Sequence, residues 1–269
     1  YKRQASATLG MDLKAMPSAE ELSTRIVEKV DANAVTETQL RALDGSALMY
    51  ALPGFQLPIV DGVGLVGEPA ELARQGKQHD VPFITGGSSF EGTVQPASGI
   101  SLEEFEAFHE NDWDTAQRIY AEEFAVSEEY GLKKMFGDNR YVLAARTMVR
   151  SMANKENSAW IYYVKFVPES RAQEWPGTPH GVDGYYLWSG ESAGDPQMAS
   201  LSRRLQGYWI NFARSGNPNG NSLLRWPAYQ KNLDQWLVFD AKDEVRTGVI
   251  ASKIDFLEAH YLKRTGVNR

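Results

Sequence analysis

The stretch Ala159-Trp160-Ile161-Tyr162-Tyr163-Val164-Lys165-Phe166-Val167, stopped by Pro168, decides the fold class. Aromatic and β-branched residues fill it, a composition suited to a pleated buried surface, and the proline that follows cannot donate to a ladder. Upstream, Val81-Pro82-Phe83-Ile84-Thr85 forms a second buried-strand pattern, bounded by Asp80 and by the break Gly86-Gly87-Ser88-Ser89. Downstream, Trp236-Leu237-Val238-Phe239-Asp240 forms a third. Helical patterns separate these strands at 101–109, 113–125, 141–153 and 197–213, and a terminal helix is predicted at 252–264. Strands joined by such long helical connections predict an α/β protein, a mostly parallel sheet with helices packed on it. A parallel sheet needs both faces covered and neighbours on its strands, so about three strands among this many helices predict part of a larger domain.

The first 75 residues read as helices and turns. Ser18-Ala19-Glu20-Glu21 is a capping box opening a helix to about Lys29, because the serine hydroxyl and the glutamate three residues on satisfy each other's free backbone donors. Leu40, Leu43 and Leu48 share one helical face, ended by Pro53, Gly54 and Pro58. Ile59-Val60-Asp61-Gly62 is a short extended piece with a turn, and a further helix runs from Pro69 to Gln75.

Composition narrows the function. The 269 residues carry 28 Lys+Arg against 35 Asp+Glu, a formal net charge of −7. An acidic chain lacks the basic face on which nucleic-acid affinity rests. With 42% hydrophobic and 23% charged residues the chain can build a core. No apolar run approaches the roughly 18 residues of a spanning helix. The absence of cysteine removes disulfides, thiolate chemistry and cysteine-held zinc together. The sequence opens at Tyr1 without an initiator methionine or a signal segment, so a segment upstream is expected.

In open α/β sheets the working residues gather on loops beyond the carboxyl ends of the strands. Two loops here qualify. One follows strand 81–85 and holds Glu91 in Gly86-Gly87-Ser88-Ser89-Phe90-Glu91-Gly92-Thr93; the other follows strand 159–167 and holds His180 in Gly177-Thr178-Pro179-His180-Gly181-Val182-Asp183. A carboxylate on one loop that meets an imidazole on the next would fix its tautomer and stabilise its imidazolium. The plainer alternative is a turn-capping carboxylate and a solvated histidine. His79, His109 and His260 stand beside charged or helix-face residues and are expected at the solvated surface.

The same residues carry a resemblance. Phe55-Gln56-Leu57-Pro58-Ile59-Val60-Asp61-Gly62, then 76–81 and 86–93, then Phe136-Gly137-Asp138 with Ala144-Ala145-Arg146 appear in order along the chain. Strand 159–167, His180-Gly181-Val182-Asp183, Tyr208-Trp209-Ile210-Asn211-Phe212-Ala213-Arg214-Ser215-Gly216-Asn217-Pro218-Asn219 and Trp226-Pro227 follow. Together, from about residue 40 to 240, they resemble the second half of a type-B carboxylesterase, the cholinesterase-like branch of the α/β hydrolases. The resemblance implies that residues 1–269 form the C-terminal portion of a single carboxylesterase domain, its α/β-hydrolase fold incomplete without the upstream segment. It implies that Glu91 is the triad acid and His180 the general base, acting on small carboxylic esters without a cofactor. The nucleophile and the glycine-rich oxyanion segment are expected upstream, in an N-terminal segment of the same enzyme. The family usually carries glutamate a few residues after the histidine where this chain has Asp183, so the supporting hydrogen bond there is expected to be shorter or rearranged.

Gly190-Glu191-Ser192-Ala193-Gly194 fits the G-x-S-x-G pattern of a nucleophile elbow. The chain order nucleophile, acid, base argues against it, since Glu91 and His180 both precede Ser192, and no full strand leads into it. Ser192 is therefore expected to be a polar loop residue. Trp175, Tyr185, Tyr186 and Trp188 flank His180 and are either pocket walls or core anchors. Glu103-Glu104, Glu122-Glu123 and Glu128-Glu129 are expected on solvated helix faces. Gly62-Val63-Gly64-Leu65-Val66-Gly67 matches the letters of a dinucleotide fingerprint but lacks the framing strand and helix. The rival function is an inactive cholinesterase-like module for binding or adhesion; retention of both Glu91 and His180 speaks against it.

Overall fold

The computed structural model describes residues 3–4, 18–52, 58–98, 100–189 and 194–265. Its centre is a sheet ordered β3-β4-β5-β6, with β3 Phe83–Ser88, β4 Ala159–Val164, β5 Gln235–Phe239 and β6 Glu244–Thr247. β3, β4 and β5 run parallel, and β6 closes one edge antiparallel. A separate two-residue ladder joins β1 (Arg3–Gln4) to β2 (Ile59–Val60).

The helices are, in order, α1 (Ala19–Asp31), α2 (Glu37–Ala42), α3 (Gly45–Ala51), α4 (Pro69–Arg74), α5 (Leu102–His109), α6 (Trp113–Ile119), α7 (Ala121–Val126) and α8 (Glu128–Gly137). After a π-turn at Asp138–Val142 come α9 (Leu143–Met152), α10 (Val182–Ser189), α11 (Pro196–Ser215) and α12 (Ala251–Thr265). The Ser18–Glu21 capping box forms as expected. The leucine-faced helix breaks in two because Asp44 starts a new one, its carboxylate accepting from the Ala47 N–H.

β4 explains the architecture. Its Ala159, Ile161 and Tyr163 join a core with Trp236, Val238, Phe136, Val149 and Leu257, while Trp160 and Val164 join a second core with Leu237, Phe239, Tyr208 and Trp226. A strand buried on both faces reads as an unbroken apolar run, which is the pattern at 159–167. The Trp226 indole, fully buried, donates to the Ile161 carbonyl at 3.1 Å and ties the loop after α11 to that strand.

Several expectations are corrected. β3 does not stop at Thr85 but continues through Gly86, Gly87 and Ser88, which pair with Tyr162, Tyr163 and Val164. Gly86 is needed there because a Cβ would sit 2.4 Å from the Tyr162 ring, so glycine admits the cross-strand aromatic instead of ending the strand. β6 went unpredicted because Glu244 and Arg246 give an edge strand no apolar signal. The 113–125 helix divides at Tyr120, and the helix that carries Glu128-Glu129 is α8. The Tyr185–Trp188 run is helical, within α10. Glu122 is exposed, but Glu123 turns inward to pair with Lys253.

His109 and His260 are not solvated. His109 is 1% exposed, its ring stacks on that of His260 at 4.7 Å, and Phe105 and Phe108 pack edge-on against it. Its Nδ1 bonds the Phe105 carbonyl at 3.0 Å, and His260 Nδ1 bonds Asp112 at 3.1 Å. A helix-face position reads as polar until a second helix, here α12, covers it. Only His79 is exposed as expected.

Burial lowers the His109 pKa from 6.5 to about 4. The unfolded chain therefore takes up a proton near pH 6.5 that the folded one refuses until about 4. Stability is expected to be unaffected above 6.5 and to fall by about 3 kcal/mol as pH drops from there toward 4. Denaturant melts of His109→Phe against the parent across that range test this: the variant's stability should decline less, and parallel curves would contradict it.

Candidate active site

The chain leaves β3 at Ser88 and turns straight into a 3₁₀ segment, Glu91–Ser98, so Glu91 sits one short turn beyond the strand end. The chain leaving β4 runs through Phe166 and loops back to Thr178, Pro179 and His180. Backbone and side-chain bonds stitch the two loops together. The Ser89 N–H donates to the Val164 carbonyl at 2.8 Å and the Phe90 N–H to the Thr178 carbonyl at 2.9 Å, and Phe90 pairs with Pro179 in a parallel bridge. The Thr178 N–H donates to Ser89 Oγ at 2.8 Å, and the buried Thr178 hydroxyl donates to the Phe166 carbonyl at 2.8 Å. The His180 N–H donates to Thr93 Oγ1 at 3.0 Å.

These contacts bring Glu91 and His180 together. Glu91 Oε2 lies 2.5 Å from His180 Nδ1, and Glu91 Oε1 accepts the Ser88 N–H at 2.5 Å. The carboxylate side chain is 5% exposed and the imidazole 38%. With Nδ1–H committed to the carboxylate, the neutral ring carries its lone pair on Nε2, which bonds no other described residue. The hydrogen bond that His180 donates to Glu91 is the largest influence on the imidazole and raises its pKa above 6.5, against partial burial.

Two glycines seat the acid loop. A Cβ on Gly92 would fall 2.0 Å from the Lys133 carbonyl, and one on Gly137 would fall 2.4 Å from the Gly92 nitrogen and 2.8 Å from Glu91 Cβ. The 3₁₀ turn and the end of α8 therefore touch backbone to backbone beneath Glu91. The π-turn follows at once, anchored by Asp138, which is buried and accepts from Lys134 at 2.5 Å and from the Tyr120 hydroxyl at 3.1 Å. Burial raises the Asp138 pKa while Lys134 opposes it. The extra residue of a π-turn re-aims the side chains after it. Here it delivers Tyr141, whose ring packs over His180 at 4.4 Å, and Arg140.

Thr85, Glu91, Arg140, Tyr141, His180 and Asp183 line a cleft of about 270 Å³, with Ala144, Ala145 and Met148 as its apolar wall. Asp183 accepts the Tyr162 hydroxyl at 2.7 Å. Trp175, Tyr185, Tyr186 and Trp188 do not line this cleft; Tyr186 is buried in the second core and Trp188 is 78% exposed. Tyr141 takes the wall position, and no sequence signal marks it, since it stands inside an ordinary helical pattern. Ser192 lies outside the described residues. Asp61 accepts three backbone N–H groups, of Val63, Gly64 and Leu65, so the glycine-spaced segment is a self-closed turn. Among the described residues no three His, Cys, Asp or Glu are grouped to hold a metal ion, and no helix is long and apolar enough to cross a membrane.

The sequence profile of the carboxylesterase family matches residues 31–257. The chain belongs to that family. It is 26% identical over 223 residues to carboxylesterase 1C of Mus musculus, which covers 73% of this chain and 40% of the relative. It is 26% identical over 280 residues to an acylcarnitine hydrolase of Rattus norvegicus, covering 89% and 48%. The chain thus spans less than half the length of these curated relatives. Among solved structures it superposes on EstA of Aspergillus niger with TM-score 0.73 at 16% identity, over 96% of this chain and 56% of that one. A carboxylesterase of Geobacillus stearothermophilus gives 0.72 at 17%, over 94% and 61%. These neighbours share the α/β-hydrolase fold.

If the Glu91 carboxylate raises the His180 pKa, Glu91→Gln should lower it, because a neutral amide stabilises imidazolium less. Histidine ring-proton NMR titration of both forms reads this directly. The same pKa in both would show that the contact does not govern the imidazole.

Proposed function

We propose that this carboxylesterase-family chain supplies the acid and base of a serine-type carboxylic ester hydrolase, Glu91 and His180, as the C-terminal portion of one larger domain. The observation that carries this is the 2.5 Å contact between Glu91 and His180 Nδ1, held by two stitched strand-end loops beside a cleft. A loop imidazole clamped by a buried carboxylate is arranged for proton transfer at Nε2, a role that a solvated histidine would not need.

In the proposed reaction His180 takes the proton of a serine hydroxyl as its oxygen attacks the ester carbonyl. The imidazolium then gives that proton to the departing alcohol, leaving an acyl-enzyme. Water attacks the acyl-enzyme in turn, losing its proton to His180, and the imidazolium returns that proton to the serine oxygen as the acyl–oxygen bond breaks and the carboxylic acid leaves. Glu91 stays ionised throughout and stabilises each imidazolium. The nucleophile is assigned to a segment upstream of Tyr1. Two features support this: among the described residues no serine lines the cleft and no strand pairs with the outer side of β3. An upstream strand on that side would place its carboxyl end beside His180.

In the complete protein, Glu91→Gln should reduce kcat/KM for a short-chain 4-nitrophenyl ester by about 10³–10⁴. A fluorophosphonate probe should label a serine upstream of Tyr1 and leave Ser192 unmodified, as mapped by peptide mass spectrometry. Labelling at Ser192 would overturn the assignment of the nucleophile, and full activity in the Glu91 variant would overturn the assignment of the acid.

A further inference from the structure

Arg140 stands half-buried in the π-turn and lines the cleft that holds Glu91 and His180. Apart from His180 it is the one cation among the described residues of that cleft. Its neighbours are the Phe136 ring, 5.9 Å from the guanidinium carbon, and the adjacent Tyr141 phenol. No carboxylate among the described residues comes within ion-pair distance of it. Three other partly or fully buried arginines are ion-paired: Arg146 with Asp255 and Glu258, Arg150 with Glu258, and Arg204 with Asp243. The two carboxylates of the cleft are engaged elsewhere, Glu91 by the Ser88 N–H and His180, and Asp183 by the Tyr162 hydroxyl.

A guanidinium removed from much of its water, with no carboxylate among the described residues paired to it, gains most from an anion brought to it, and its planar fork suits carboxylate and phosphate oxygens. It also repels the charged form of His180, a repulsion that an anion on Arg140 would cancel. Ala144, Ala145 and Met148 beside it offer hydrocarbon packing but no competing polar group.

We propose that Arg140 selects esters carrying an anionic group, a carboxylate or a phosphate, near the scissile bond. This rests on the ester-hydrolase function proposed above and names its substrate class. Arg140 binds the anion directly and takes no part in proton transfer, so its loss acts through the ratio between charged and neutral substrates.

The test measures kcat/KM of the complete protein on matched esters. On the alcohol side these are 4-acetoxybenzoate and 4-acetoxyphenyl phosphate against neutral 4-acetoxybenzamide, which separate carboxylate from phosphate. On the acyl side they are ethyl hydrogen adipate against ethyl hexanoate. In Arg140→Gln the anionic-to-neutral ratio should fall about tenfold or more in at least one set, as expected for loss of a charged hydrogen bond, with Arg140→Lys retaining part of it. Ratios within about twofold of the parent in every set would overturn the proposal. So would an equal loss on charged and neutral esters with a lowered melting temperature, the signature of a guanidinium that serves a carboxylate of the protein itself. Absence of hydrolysis of all these esters by the folded parent would be a failure of the ester-hydrolase reading and would take this proposal with it.

Discussion

One step of parallel pairing, Phe90 against Pro179, carries the arrangement of the site. Glu91 and His180 are 89 residues apart; Glu91 opens a 3₁₀ turn, and His180 sits on a loop with no regular structure of its own to aim it. Extending the parallel alignment of β3 and β4 one bridge past the strand ends removes that freedom. The Thr178 N–H donates to the Ser89 hydroxyl oxygen across it, and the Thr178 hydroxyl is locked to the Phe166 carbonyl below. Each such bond contributes on the order of 1 kcal/mol net, but their joint effect is geometric. They bring a carboxylate with almost no solvent exposure to 2.5 Å from an imidazole that keeps its far side open.

The second constraint is the crossing of Gly92 and Gly137. Side chains at either position would push the 3₁₀ turn and α8 apart and displace Glu91 with them. Because α8 must end at that crossing and α9 must begin close by, the chain takes a π-turn, and the buried Lys134–Asp138–Tyr120 cluster fills the space behind it. The same turn presents Tyr141 and Arg140 to the cleft. The packing that seats the acid therefore also sets the cleft wall.

Much of this was legible in the residues. The apolar run of β4 announced a strand covered on both faces, and strands spaced by long helices announced a parallel sheet. The rule that chemistry collects at carboxyl strand ends pointed to the loops of Glu91 and His180. The misses share one cause. Gly86 and Gly87 read as a break because their single-residue propensity is poor, yet Tyr162 leaning across the neighbouring strand makes glycine the residue that fits. His109 and His260 read as surface because each helix alone shows them on a polar face, and only the docking of α12 on α5 buries them. β6 is four residues long with charges at Glu244 and Arg246, and its place is set by its partner β5.

The sequence by itself determined the fold class and the two candidate loops, because hydrophobic periodicity and strand punctuation are local properties that each segment carries alone. Only the tertiary structure decided that the two loops meet, that Asp183 serves Tyr162, and that Tyr141 and Arg140 face the cleft. Those facts depend on register between strands more than 70 residues apart and on a one-residue insertion at a helix junction. Neither leaves a periodic trace, since each arises from how surfaces fit after the elements have formed.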